Sequence, residues 1–397
     1  MFSAYIFLIS ILSANAQTME LPTLDYGKDG VVVKHAASNF VMKTRFRIQT
    51  RATYEDYDTE STTQDVTDFQ VRRMRLRFDG SALDSRFIYK IQLSFTRGDM
   101  DYDNTSYPNI LRDAVVGWKL FNEDSFKSTL WFGQTKLPGN RQRVISSGNQ
   151  ELVDRSLLNA TFNIDRDMGV QWYNQIGESR PFWLKFAVSN GEGRANNNRN
   201  TGLAYTARAE WLPLGAFTDD GDYFEGDLAR EQSAKLSLGV SYQSNRKTNR
   251  VGGQIGKTFI SGVTTDMETL LADFLLKYKG WALSAEYANR QTDNPFITLS
   301  SGADAVFKGS GYNAQLSYVF TNNWSPIVRY THITPHDDIL NFENDKTQYT
   351  VGVTKYLNHH KIKIMGDVTY EDEKERTSTV NANMNNWIAR LQLEFGI

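Results

Sequence analysis

From Phe40 to the end of the chain, apolar and polar residues alternate with a period of two in one short segment after another, and almost nothing repeats every 3.6 residues. Such spacing builds β-strands with one greasy and one polar face. In residues 40–54, Phe40, Met42, Phe46 and Ile48 share one face, while Lys43, Arg45, Arg47, Gln49 and Arg51 share the other. The next segment sets Met74, Leu76 and Phe78 opposite Arg73, Arg75 and Arg77. A third sets Phe87, Tyr89, Ile91, Leu93 and Phe95 opposite Lys90, Gln92, Ser94 and Thr96. Continued to residues 387–395, the pattern predicts sixteen strands.

The connections alternate between short, as at Lys279-Gly280, and long, as at 52–69, 97–109, 137–167 and 291–309. Only 213–232 is long where a short one is due. An even number of alternating strands, with turns at one end and loops at the other, is the pattern of a transmembrane antiparallel β-barrel of the bacterial outer membrane. A soluble sandwich alternates too, but its buried face is aliphatic. Here aromatics sit near strand ends (Tyr54, Tyr89, Trp118, Trp211, Trp281, Tyr312, Tyr370, Trp387), as girdles at two lipid interfaces require. The opposite face is too charged for a packed interior, and sixteen strands enclose a lumen wide enough for water.

Other classes are excluded by composition. The longest apolar run lies in residues 4–14, too short for a membrane-spanning helix. Cysteine is absent, which removes disulfide scaffolds and thiolate metal sites. With 44 Lys+Arg against 46 Asp+Glu, the chain is no general polyanion binder, so nucleic acid is not an expected partner. Residues 1–16 place an apolar core before Ala14-Asn15-Ala16, the form of a cleaved export signal, although no Lys or Arg precedes that core. Residues 17–38 are then a periplasmic lead-in and 39–397 the barrel.

If the apolar faces meet lipid, Lys43, Arg45, Arg47, Arg51, Arg73, Arg75, Arg77 and Lys90 line the water as one basic patch, with no acid within 41–51 or 70–78. Arg72 has the wrong parity and is expected to snorkel to the outer interface. Further lumen positions supply Lys119, Lys185, Arg208, Lys277, Arg329, Lys361, Lys363 and Arg390, diluted by Asp113, Glu210, Asp273, Glu286, Asp367 and Glu394. A ladder of cations selects anions by focusing the field, and guanidinium groups match the oxygens of phosphate or carboxylate. The same charges also suit a barrel that merely orients polar solutes. The loop at 137–167, bearing Arg141, Arg143, Arg155 and Arg166, is either a constriction folded inward or a surface loop. Around the barrel, lipid and lipopolysaccharide are the expected neighbours.

No catalytic constellation, cofactor or metal site is read from the sequence. His359 and His360 read as solvated turn residues, and the acids Asp219, Asp220 and Asp222 as a solvated connection.

Several runs resemble the phosphate-selective porin O and P family: FQVRRMRLRFDG at 69–80, GQTKLP at 133–138, VDRS at 153–156, RDMGVQ at 166–171, SNGEG at 189–193, FEGDL at 224–228 and TVGVTKYL at 350–357. The resemblance implies a homotrimeric sixteen-stranded channel passing phosphate or other small anions along an arginine ladder. It assigns Arg73, Arg75 and Arg77 to that ladder, and Lys136, Arg155 and Arg166 to the constriction. Alternation is too weak at 131–136 to say whether Lys136 or Thr135 faces inward. A general diffusion porin, or a plugged barrel with an adhesive or enzymatic role, stays open at this point.

Overall fold

The computed structural model describes residues 21–27, 29–59, 62–100, 109–194, 202–260, 262–299, 302–376 and 383–397; the export signal at 1–16 lies outside them. The chain forms β1 (Thr23–Gly27), β2 (Gly30–His35), β3 (Phe40–Thr59), β4 (Thr62–Ala82), β5 (Asp84–Ser94), β6 (Leu111–Asn122), β7 (Phe126–Lys136), β8 (Arg166–Ile176), β9 (Phe182–Ser189) and β10 (Ala204–Trp211). It continues with β11 (Lys235–Thr248), β12 (Thr265–Tyr278), β13 (Trp281–Thr292), β14 (Phe296–Leu299), β15 (Gly302–Ala305), β16 (Gly309–Tyr318), β17 (Trp324–Pro335), β18 (Asp345–Asn358), β19 (Ile362–Lys374) and β20 (Asn383–Gly396).

Sixteen of these strands close into one antiparallel barrel, the number the alternation predicts, because β20 returns to pair with β3 from Gly396↔Arg47 to Asn385↔Asp58. Closure leaves no free edge, so the strands of the wall pair their backbone groups with one another rather than with water. The β1–β2 hairpin, from the lead-in, pairs with β3 at Val31↔Thr44 to His35↔Phe40, on the edge just below β20. The β14–β15 hairpin lies apart, within the long connection between β13 and β16.

Two differences from the sequence pattern have simple causes. Within 52–69, expected as a loop, residues 52–59 and 62–69 extend β3 and β4 into a tall hairpin whose pairing runs to Thr59↔Thr62. The stretch is rich in Asp and Thr, so no alternation marks it as strand in the sequence, and the ladder alone extends it. The second is a β-bulge in β4: Gln49 pairs with Arg73 but Thr50 pairs with Val71, so Arg72 is the extra residue. A bulge turns its side chain and flips parity beyond it. Arg72 therefore does not snorkel outward. Its Nε lies 3.8 Å from Asp154 of the long connection after β7, and its Nη1 donates to the Gly98 carbonyl at 3.3 Å.

The turn at Lys279-Gly280 follows from local rules: both residues adopt positive φ (49° and 96°), which lets Tyr278 pair directly with Trp281. Outward faces carry exposed Leu391, Leu393 and Phe395 on β20, with Trp387 at one end, while Gln392 and Glu394 on the same strand are buried inside. This partition makes a sharp prediction. Leu391→Arg, near the middle of the lipid-facing band, is expected to destabilise the folded barrel by roughly 2–4 kcal/mol in a lipid-based refolding titration. Equal stability of variant and parent means the outward face does not meet hydrocarbon.

Candidate functional site

Direct cross-strand pairing places Arg45 opposite Arg77 and Arg47 opposite Arg75. Like charges so placed repel, and the structure resolves the repulsion by threading a carboxylate into the ladder at nearly every rung. Asp79 accepts from Arg45 at 2.5 Å and from Arg77 at 2.8 Å. Asp99, from the connection after β5, takes both Nε and Nη2 of Arg75 (2.5 and 2.6 Å), Nη1 of Arg112 (2.9 Å) and the Ser94 hydroxyl (2.6 Å). Glu394 lies 3.6 Å from Arg47 and accepts from Gln49 at 2.9 Å. Asp154 pairs with Arg51 and lies 3.4 Å from Arg73, which also donates to Gln49 at 2.9 Å. Asp113 serves Arg166 at 3.1 Å and lies 3.7 Å from Lys90, whose ammonium donates to Thr135 at 2.6 Å. Lys43 reaches Asp29, in the turn of the β1–β2 hairpin, at 2.7 Å.

The absence of acids therefore holds only within the stretches 41–51 and 70–78 themselves. Asp79 and Glu394 follow from strand parity. Asp99 and Asp154 come from connections, where no period reveals a facing direction. For Asp99, burial by itself raises the carboxyl, but Arg75, Arg112 and Arg73 overcome that and hold it well below the usual carboxylate range.

The connection between β7 and β8 crosses the barrel interior. It contains two short helical turns, α1 (Arg141–Val144) and α2 (Leu157–Phe162), the second capped by Ser156, whose Oγ accepts from the Asn159 N–H at 3.2 Å. Arg141 is buried against the far wall. It donates to Asp273 at 2.6 Å, to Ser237 at 2.7 Å and to the Asp222 carbonyl at 3.0 Å, and Arg208 donates to the same Asp273 at 2.7 Å. Leu158, Phe162 and Ile164 pack with Leu271, Ala288, Phe307 and Ile333, an apolar knot inside a polar barrel. Lys363 donates to the Gly148 carbonyl at 2.9 Å and the Gln150 carbonyl at 2.5 Å, and Ser325 to Glu151 at 2.9 Å.

The other sequence candidates in this region hold the loop's shape. Lys136 donates to the Val144 and Ile145 carbonyls, both at 3.0 Å, and Arg155 to the Gln142 and Ile145 carbonyls at 2.6 and 3.0 Å. Arg143 pairs with Asp165, which lies 3.4 Å from Arg166. Burial, then the nearby charges of Arg73 and Arg75, pull the Arg155 guanidinium down to about 9. Thr135 sits on the inner side, donating to Asp113 at 2.9 Å, while Lys136 at the strand end reaches over into the loop.

The exception at 213–232 also folds inward, from the short-turn end, and meets the crossing loop. The Glu225 N–H donates to the Asn149 carbonyl at 2.8 Å, the Glu151 N–H to the Glu225 carboxylate at 2.9 Å, and Lys277 to the Gly221 carbonyl at 2.8 Å. Two solvated readings are corrected by this contact. Asp222 is buried, and His360 lies between the rings of Phe224 (5.2 Å) and Tyr356 (5.0 Å). Burial, followed by the charges of Lys363 and Lys277, holds His360 neutral, well below the usual imidazole value.

Between them the two segments fill the barrel along β9 to β19. Lys185, Arg208, Lys277, Gln315, Thr331 and Lys363, which alternation turns inward, are all nearly fully buried. Opposite them the wall stays wet: Lys43 is 34% exposed, Arg45 33%, Arg77 37% and Lys90 24%. Water thus reaches the basic strands β3 to β5 at their short-turn end, whereas Arg73 and Arg75, expected to line the water, are buried by the crossing loop and the Asp99 connection.

Comparison with known proteins agrees with this architecture. A protein of Aquifex aeolicus (strain VF5), described only as uncharacterized, is 24% identical over 379 residues, covering 87% of this chain and 86% of its own. Among solved structures, the chain is similar to the anion-selective porin from Comamonas acidovorans (TM-score 0.53, 12% identity, 90% of this chain and 99% of that one). It is also similar to Salmonella typhi OmpF in complex with daunomycin (0.54, 13%, 92% and 100%) and to the outer membrane channel DcaP of Acinetobacter baumannii (0.54, 12%, 90% and 97%). At these identities the likeness speaks for the fold. The sequence profile of one family, however, matches residues 42–396, the whole barrel from the basic strands to the closing one, and the chain belongs to the phosphate-selective porin O and P family.

Proposed function

We propose that this outer-membrane channel favours small anions, with inorganic phosphate the leading candidate, and that it works as an exported homotrimer. The observation that carries the anion preference is the asymmetry of exposure at the wet end of the ladder: Lys43, Arg45, Arg77 and Lys90 meet water, Asp79 between them is only 18% exposed, and Asp99 and Asp113 are buried beneath their cations, leaving Asp29 as the one well-exposed acid among the described partners of these groups. In a low-dielectric wall such a surface concentrates anions and repels cations. The anion-selective porin from Comamonas acidovorans shares the fold and supports the reading by analogy. Trimerisation is supported by the family resemblance and by the similar fold of a Vibrio cholerae outer membrane protein, OmpT, described in a trimer form.

A second reading has its own observation. Carboxylates accompany most rungs, and a wall so compensated suits a general diffusion channel with weak bias. Reversal potentials in a planar bilayer, measured across a tenfold salt gradient with chloride and then phosphate, decide between them. The proposal expects a potential near the anion limit; a value near zero establishes the second reading. Absence of single-channel steps means that the two inward segments close the barrel.

A further inference from the structure

We propose that Asp154 is a tethered ligand of the channel: its carboxylate occupies a guanidinium site built for a free anion of carboxylate or phosphate type, and such anions pass by exchanging with it. The inference rests on the anion-channel reading and adds to it a residue that sets affinity and exchange rate.

The geometry is lopsided. Asp154 pairs with Arg51 and lies 3.4 Å from Arg73, 3.8 Å from Arg72 and 3.8 Å from Arg390. Arg329 donates to its backbone carbonyl at 2.9 Å. Among the described residues one other carboxylate serves this group, Asp367, which accepts from Arg390 at 2.6 Å. Five guanidinium groups therefore face two carboxylates. Arg51 and Arg73 each keep a buried Nε with no hydrogen-bond partner among the described residues, so the donor set exceeds what one aspartate can satisfy. The Asp154 side chain is 22% exposed and Arg72 21%, so the cluster opens to water on one side and an anion can reach it.

A carboxylate that merely stapled the loop would be needed to hold it. Here the backbone is fixed without it: the Val153 N–H donates to Asp367 at 3.0 Å, Arg329 holds the next carbonyl, and Ser325 and Lys363 hold residues 148–151. The side chain can let go while the loop stays. The benefit is kinetic. Four guanidiniums converging on a free phosphate form a trap, and conduction needs sites weak enough to leave. A tethered competitor at an effective concentration on the order of millimolar or higher weakens the site for every visiting anion and refills it as each departs.

The test is conductance against concentration in sodium acetate and in sodium phosphate, for the parent, Asp154→Asn, Arg51→Ala and the double variant. Asp154→Asn is expected to lower the half-saturating concentration of both anions about tenfold, with the flux of a neutral sugar unchanged. Without Arg51, the same substitution is expected to change it less than threefold. An unchanged half-saturation overturns the proposal, and so does increased sugar flux without tighter anion binding, which identifies Asp154 as a staple. If Asp154→Asn has the same fold-effect with and without Arg51, the two do not share a site and the proposal also falls. The parent's reversal potential separates the two levels: cation preference there removes the anion-channel reading itself, whereas anion preference with an unresponsive Asp154→Asn removes only this inference.

Discussion

Asp273→Ala will unlatch the loop that crosses the barrel, and the channel will widen. Asp273 receives three guanidinium hydrogen bonds, one from Arg141 of the loop and two from Arg208 of the wall, and it is almost completely buried. Removing one member of such a group leaves cations desolvated without their counter-charge, a cost of about 3–5 kcal/mol. The β-strand ladder around Asp273 is continuous through Ala272↔Tyr287 and Asp273↔Glu286, so the barrel persists. The loss falls on the docked loop, whose attachment at α1 is the cheaper one to give up. Protease cleavage between 141 and 163 should rise at least tenfold, and single-channel conductance should increase. Resistance to protease equal to the parent's would show that the apolar knot around Phe162 holds the loop without the ion cluster.

The second large effect concerns ion preference. Arg45 and Arg77 share Asp79, and both are about one-third exposed, so they are the ladder cations that a passing ion meets. Replacing both with Ala changes that rung from two cations and one acid to one acid alone. At an effective dielectric near 20, each lost charge acts with roughly 1.7 kcal/mol on an ion about 10 Å away. Salt screening trims this substantially, since the Debye length is about 10 Å at 0.1 M. The anion-to-cation permeability ratio should therefore fall about tenfold or more at low salt and much less at 1 M. A ratio unmoved at low salt places the ions' route elsewhere. This pair is a cleaner test than Arg73 or Arg75, because Arg75 also holds Asp99 and, through Ser147, the crossing loop.

Much of the wall was legible from residue order. Arg45, Arg47, Arg73, Arg75 and Arg77 point inward because a strand has a period of two and the opposite face carries Phe46, Ile48, Met74 and Leu76. Closure and strand number were legible for the same reason. Arg72 was misread because a bulge is one uncompensated residue in a pairing register, and register belongs to two strands at once. The constriction candidates Arg141, Arg143 and Arg155 lie in the connection and Lys136 and Arg166 end the strands beside it, but their partners were out of reach of the sequence. Nothing near Arg141 in sequence announces Asp273, and nothing near Arg51 announces Asp154, 103 residues away. The odd connection at 213–232 was visible as an exception, and His360 was misread beside it. That side chain is buried because Phe224, from that connection, and Tyr356, from β18, lie against it.

Local periodicity by itself determined that this chain is a lipid-facing barrel with a basic inner stretch, because alternation acts residue by residue and needs no distant partner. Which cations stay wet was decided only by the tertiary structure. Loop carboxylates and two inward segments are carried to the ladder by chain closure, and the electrostatics of a channel depend on distance in space, which residue order does not encode.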